Sequence, residues 1–145
     1  MSQEIEESDW LEIKELASEI ANASLGLDPI SVESLRIKLL DRLSALEEKY
    51  GESASILGVV AEYLELPSDK LALFEKAYLI ADRQKDHLNK TLISHSIAEL
   101  YVLDFKDAEN GRMWLGRLES NLKDHFSSYE AGDLLSLRSE LEQIN

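Results

Sequence analysis

The chain has 145 residues, 29 Asp and Glu against 15 Lys and Arg, and a formal net charge of −14 with its three histidines neutral. That length suits a single domain, and 44% hydrophobic residues give it enough apolar material for a core, which argues against global disorder. The acid surplus argues against nucleic acid or anionic lipid as partners, because neutralising phosphate requires lysine and arginine.

Apolar spacing is helical almost throughout, and alternating strand patterns with hairpin turns are absent, so the expected fold is all-α with about seven helices. Residues 1–7 are expected to be a disordered lead. The first helix, roughly 8–24, carries Ile13, Leu16, Ala17 and Ile20 on one face, and Gly26 suits a left-handed cap after it. Asp28-Pro29 opens the second helix, where aspartate can accept from free amides and proline at the first position loses no needed donor. Leu35, Leu39, Leu43, Leu46 and Tyr50 follow at helical spacing until Gly51. The third helix, roughly 53–65, places Ile56, Leu57, Val60, Ala61 and Leu64 together, and Pro67 breaks it. A fourth, roughly 69–83, carries Leu71, Phe74, Ala77, Tyr78 and Ala81. A fifth, roughly 88–103, carries Ile93, Ile97, Leu100 and Tyr101. The sixth, roughly 107–123, uses Met113, Trp114, Leu118 and Leu122 despite two internal glycines, and the last begins at Ser127 with Glu130 as a capping box.

Apolar positions recur at 40 residues: Leu57, Ile97 and Leu137, and again Phe74 and Trp114. Residues 53–86, with Leu57-Gly58 in one helix and Phe74 followed by Ala77 in the next, resemble a tetratricopeptide repeat. Lys70, Ala61 and Arg117 depart from that pattern, so the likeness is closest over 53–86 and weaker to 123. The resemblance implies one domain over 1–145: an N-terminal hairpin at 8–52, a first repeat at 53–86, a degenerate second repeat at 87–123 and a capping helix at 127–145. The implied architecture is a short right-handed solenoid of antiparallel hairpins, with a compact helical bundle as the alternative.

No phosphate loop, His-Glu-x-x-His pair or calcium loop is present, and His87, His95 and His125 have no metal-ligand spacing. With zero cysteines, disulfides, thiolate zinc sites and cysteine nucleophiles are excluded. No catalytic residue, metal or cofactor is therefore expected. No apolar run approaches the ~18 residues of a membrane span, and residues 1–10 are acidic where a secretory leader would be basic, so a cytoplasmic protein is expected. Trp114 fits the core period; Trp10, among acids, is read first as core and second as a partner anchor.

In the repeat family the first helix of each hairpin lines a concave groove. Carried over, those positions are Glu52, Ser55, Val59, Glu62 and Tyr63, then Leu92, His95, Glu99, Val102 and Leu103, then Leu135, Ser139 and Glu142. The implied groove is acidic, with Tyr63 placed to stack on a cationic side chain, and it selects a basic protein. The leading expectation is a non-catalytic immunity or antitoxin-type inhibitor that masks a cationic toxin such as a nuclease. The alternative is a tetratricopeptide-type scaffold or adaptor, and a homodimer is compatible with both.

Overall fold

The computed structural model describes residues 4–144, and among them only helices and their connections occur. They are α1 (Glu7–Leu25), α2 (Pro29–Tyr50), α3 (Ala54–Glu62), α4 (Pro67–Arg83), α5 (His87–Glu99), α6 (Ala108–Asp124) and α7 (Ser128–Leu141), with a π-helical turn at Leu100–Asp104 continuing α5. The fold is all-α, with seven helices among the described residues. None of them is long and apolar enough to cross a membrane. The chain divides into two compact units, Met1–Tyr63 and Leu64–Asn145. That division falls inside residues 53–86, so α3 belongs to the first unit and α4 to the second.

In the first unit, Ile13, Leu16 and Ile20 of α1 close on Leu39, Leu43, Leu46 and Tyr50 of α2 and Ile56 of α3. Trp10, Val59 and Tyr63 are partly buried against this cluster. Each fully enclosed leucine contributes about 1.5–3 kcal/mol relative to an exposed one. Polar contacts set the antiparallel register of α1 and α2. Tyr50 Oη donates to Asp9 Oδ2 at 2.5 Å and accepts from the Glu6 amide at 3.2 Å, while Lys49 Nζ lies 3.0 Å from the same Asp9 oxygen. Further along, Arg42 Nε meets Glu12 Oε1 at 2.9 Å. Of residues 1–7, expected to be disordered, 1–3 lie outside the described residues, whereas Glu6 is held by Tyr50 and Glu7 opens α1.

Asp28 caps α2 as expected, accepting from Ser31 N at 3.2 Å with Pro29 at the first turn. The turn before it differs from expectation: Gly26 keeps φ −79° and Leu27 takes the left-handed conformation at φ 55°. Gly51, at φ 82°, does end α2 in a conformation that favours glycine. Ser53 Oγ accepts from Ile56 N at 3.1 Å and starts α3. Arg36 Nη1, from α2, donates to the Tyr63 carbonyl at 3.1 Å just beyond the end of α3. Pro67 stands at the start of α4, earlier than expected, because its missing N–H is not needed there.

In the second unit α5 is the central helix, packed by α4, α6 and α7. A helix covered on three sides cannot keep a single apolar stripe, and α5 buries Thr91, Ser94 and His95 beside Ile93, Ile97 and Ala98. Each buried hydroxyl finds an acceptor. Thr91 Oγ1 reaches the carbonyls of His87, Asn121 and His125 at 3.0–3.3 Å, and Ser94 Oγ donates to Thr91 O at 3.1 Å. From α6, buried Asn121 donates through Nδ2 to Tyr78 Oη at 3.1 Å, Ser94 Oγ at 3.2 Å and Lys90 O at 3.3 Å. No buried side-chain nitrogen or oxygen among the described residues lacks a partner, so the network avoids the desolvation penalty of an unpaired polar group.

Two connections in this unit share one construction. Lys85 and Lys106 adopt left-handed φ of 55° and 54°, and the aspartate after each caps the next helix. Asp86 accepts from Asn89 N at 3.1 Å and Asn89 Nδ2 at 2.6 Å; Asp107 accepts from Asn110 N at 3.1 Å and Asn110 Nδ2 at 2.8 Å. The motif Lys-Asp-x-x-Asn thus writes a three-residue reversal and a doubly bonded cap. At the start of α7 the expected capping box takes a different form, with Ser127 Oγ bonding the buried Glu130 carboxylate and no side chain capping a backbone amide.

Candidate functional site

Of the carried-over positions in the first unit, Ser55, Val59 and Glu62 share one face of α3, with Glu52 just before it and Tyr63 at its end. Glu52 and Glu62 are exposed, and Ser55, Val59 and Tyr63 are half-buried. Burial, and then the adjacent Glu62 charge, push the Tyr63 hydroxyl above its ordinary pKa. Much of the Tyr63 ring therefore serves the unit's own packing, leaving only part of it for a ligand.

The second unit brings His95 and Glu99 together and adds a residue that spacing did not reveal. His95 Nε2 lies 2.8 Å from Asp133 Oδ2 on α7 and 3.6 Å from Glu99 Oε2 one turn along α5. The Tyr129 ring stands edge-on to the imidazole with centroids 6.0 Å apart. Leu92, Leu103 and Leu135 are exposed, as is Glu142 nine residues beyond Asp133. Val102 is not on this surface. It is 1% exposed, packed where Gly111 of α6 lets the helices approach; a Cβ on Gly111 would stand 3.0 Å from Val102 Cγ2 and 3.3 Å from Leu141 Cδ1. Val102 falls between buried Thr91, His95 and Ala98 on the helical wheel, on the edge of α5 that α6 covers.

Two surfaces escaped the carry-over. Along α1, Glu7, Leu11, Glu15 and Glu19 are all exposed at spacings of four residues, opposite the buried Ile13, Leu16 and Ile20. Composition flagged this segment, which holds seven acids and only Lys14 within residues 1–19. The second is a groove of about 400 Å³ between α4 and α6, lined by Glu75, Tyr78, Leu79, Asp82, Trp114 and Arg117. Arg117, the departure from the repeat pattern, stacks over Trp114 at 4.3 Å, and Tyr78 meets that indole edge-on at 5.0 Å. Lys90, 2.9 Å from Asp82, holds the Asp82 carboxyl below its ordinary pKa. The charges in the groove are therefore largely matched within the protein itself.

Comparison of the chain with protein-family models, with curated proteins and with solved structures finds no match in any of the three.

Proposed function

We propose that the protein is a non-catalytic interaction module that binds and masks a basic protein surface, in the manner of an immunity or antitoxin-type inhibitor of a cationic toxin such as a nuclease. The observation that carries this reading is the outer face of α1, where exposed carboxylates at Glu7, Glu15 and Glu19 flank exposed Leu11. The first unit as a whole holds 14 acids against 5 bases. A surface of that kind accelerates encounter with a cationic protein and rejects acidic competitors, while the apolar residue supplies contact area. A nuclease presents a suitable target, because gripping phosphate requires a basic surface.

Affinity capture from the native host at low salt, followed by a step to about 0.5 M salt, tests the reading. It expects one basic protein, retained at low salt, released by the step and lost when Glu7, Glu15 and Glu19 are reversed to lysine. Charge reversal at Glu62 and Glu99 asks in the same assay whether the carried-over groove positions contribute. Capture of no basic protein sinks the proposal. A second reading, a tetratricopeptide-type scaffold or adaptor, draws support from the apolar corner between α1 and α2, where Leu25, Leu27 and Ile30 are each more than 80% exposed. It expects a partner that stays bound through the salt step and is lost on Ile30→Glu.

A further inference from the structure

We propose that His95, Glu99 and Asp133 form a binding site for one divalent transition-metal ion of the zinc type, joining α5 to α7. The inference is independent of the proposed partner. Two carboxylates from two helices converge on a single imidazole nitrogen, Nε2, at 2.8 and 3.6 Å. That nitrogen carries either one proton, which makes one straight hydrogen bond, or a lone pair, which carboxylates cannot donate to. A proton thus serves one of the two oxygens well, whereas a cation bonded to Nε2 serves both.

The spacing suits such an ion. Ligand atoms on a tetrahedral zinc with bonds of 2.0–2.2 Å are about 3.4 Å apart. The two distances from Nε2 bracket that value, and all three ligand atoms lie within 4.8 Å of one another. Small side-chain rotations therefore suffice, without movement of the helices. The His95 side chain is 11% exposed, so packing fixes its ring, while Glu99 and Asp133 remain 47% and 36% exposed and leave an entry from solvent. Three protein ligands leave the fourth position to water or to a group from another molecule. A set with one imidazole favours zinc and its first-row neighbours over magnesium and calcium, which take oxygen ligands.

Titration of the chelator-stripped full chain with zinc chloride, followed by calorimetry, tests the site, with thermal unfolding read alongside. One equivalent of zinc is expected to bind, to raise Tm, and to bind at least about tenfold more tightly than magnesium. His95→Gln and Asp133→Asn should each weaken zinc binding at least about tenfold, since a direct ligand matters no less than the outer partners whose loss costs 10–100-fold. His87→Gln should change nothing, because the His87–Asp124 contact, at 3.9 Å, has one carboxylate and lies on the surface. In the unsubstituted chain, zinc should shift the ring-nitrogen resonance of His95, a readout that stands even where a variant folds poorly. No uptake of zinc, uptake unchanged in His95→Gln, or an unmoved His95 resonance each overturns the site and leaves a hydrogen-bonded contact.

Discussion

The two units solve the same problem, burying helices in a short acidic chain, by different means. The first encloses an aliphatic cluster between α1 and α2 and closes it with short α3; its polar contacts, Asp9 with Tyr50 and Lys49 and Glu12 with Arg42, stay near the rim. The second surrounds α5 and admits Thr91, Ser94, His95, Asn121 and Glu130 to its interior. A rim contact sets register and tolerates change, whereas an interior polar group must keep every partner. Charge separates the units as well, with 14 acids against 5 bases in the first and 15 against 10 in the second.

Substitutions can break that contrast. The largest effect is expected at Leu39→Ala, a fully enclosed position in the first unit, which should lower stability by about 2–5 kcal/mol in denaturant titration. Asn121→Ala removes from the second unit the amide that donates to Tyr78 Oη, Ser94 Oγ and the Lys90 carbonyl, and a loss of about 1–3 kcal/mol is expected by the same measurement. Gly111→Ala sets the methyl group against buried Val102 and Leu141, so overpacking should outweigh the gain in helix propensity by about 1 kcal/mol. Gly116→Ala, on the same helix with nothing within 4 Å of the added methyl, should instead stabilise by about 0.5–1 kcal/mol. A Gly111→Ala protein as stable as Gly116→Ala would show that the close approach of α6 to the π turn is not tight.

The smallest effect is electrostatic and belongs to the rim of the first unit. The Tyr50 hydroxyl, and then Lys49, hold the Asp9 carboxyl below its ordinary value of 3.8. Because the folded pKa lies below the unfolded one, the contact stabilises the fold above pH ~4 and loses that contribution as pH falls through the folded value. Acid unfolding should therefore be less steep in Asp9→Asn than in the unsubstituted chain. An identical pH dependence would remove Asp9 from the acid response.

What could be read from residue order varied with the kind of interaction. The stripe Leu39, Leu43, Leu46 and Tyr50 and the cap at Asp28-Pro29 are local, and both were legible. So was the acidity of α1, although repeat positions drew attention to α3 and α5 instead. The repeated Lys-Asp-x-x-Asn connections at 85–89 and 106–110 are equally local, but their information is polar and lies outside any apolar period. Val102 stands at the edge of the carried-over face, and its burial follows from the close approach of α6 at Gly111, which spacing along α5 does not encode. Asp133, 38 residues from His95, could not be paired with it by spacing at all.

Residue order by itself determined that this chain is helical, acidic and punctuated by aspartate-capped reversals, since periodicity, charge and caps act within one or two turns of a helix. Only the tertiary structure decided which polar residues go inside and which carboxylates meet an imidazole. Those outcomes depend on how many neighbours cover a helix: α5, packed by three, brings Asn121 to Ser94 and Asp133 to His95 from segments far away along the chain.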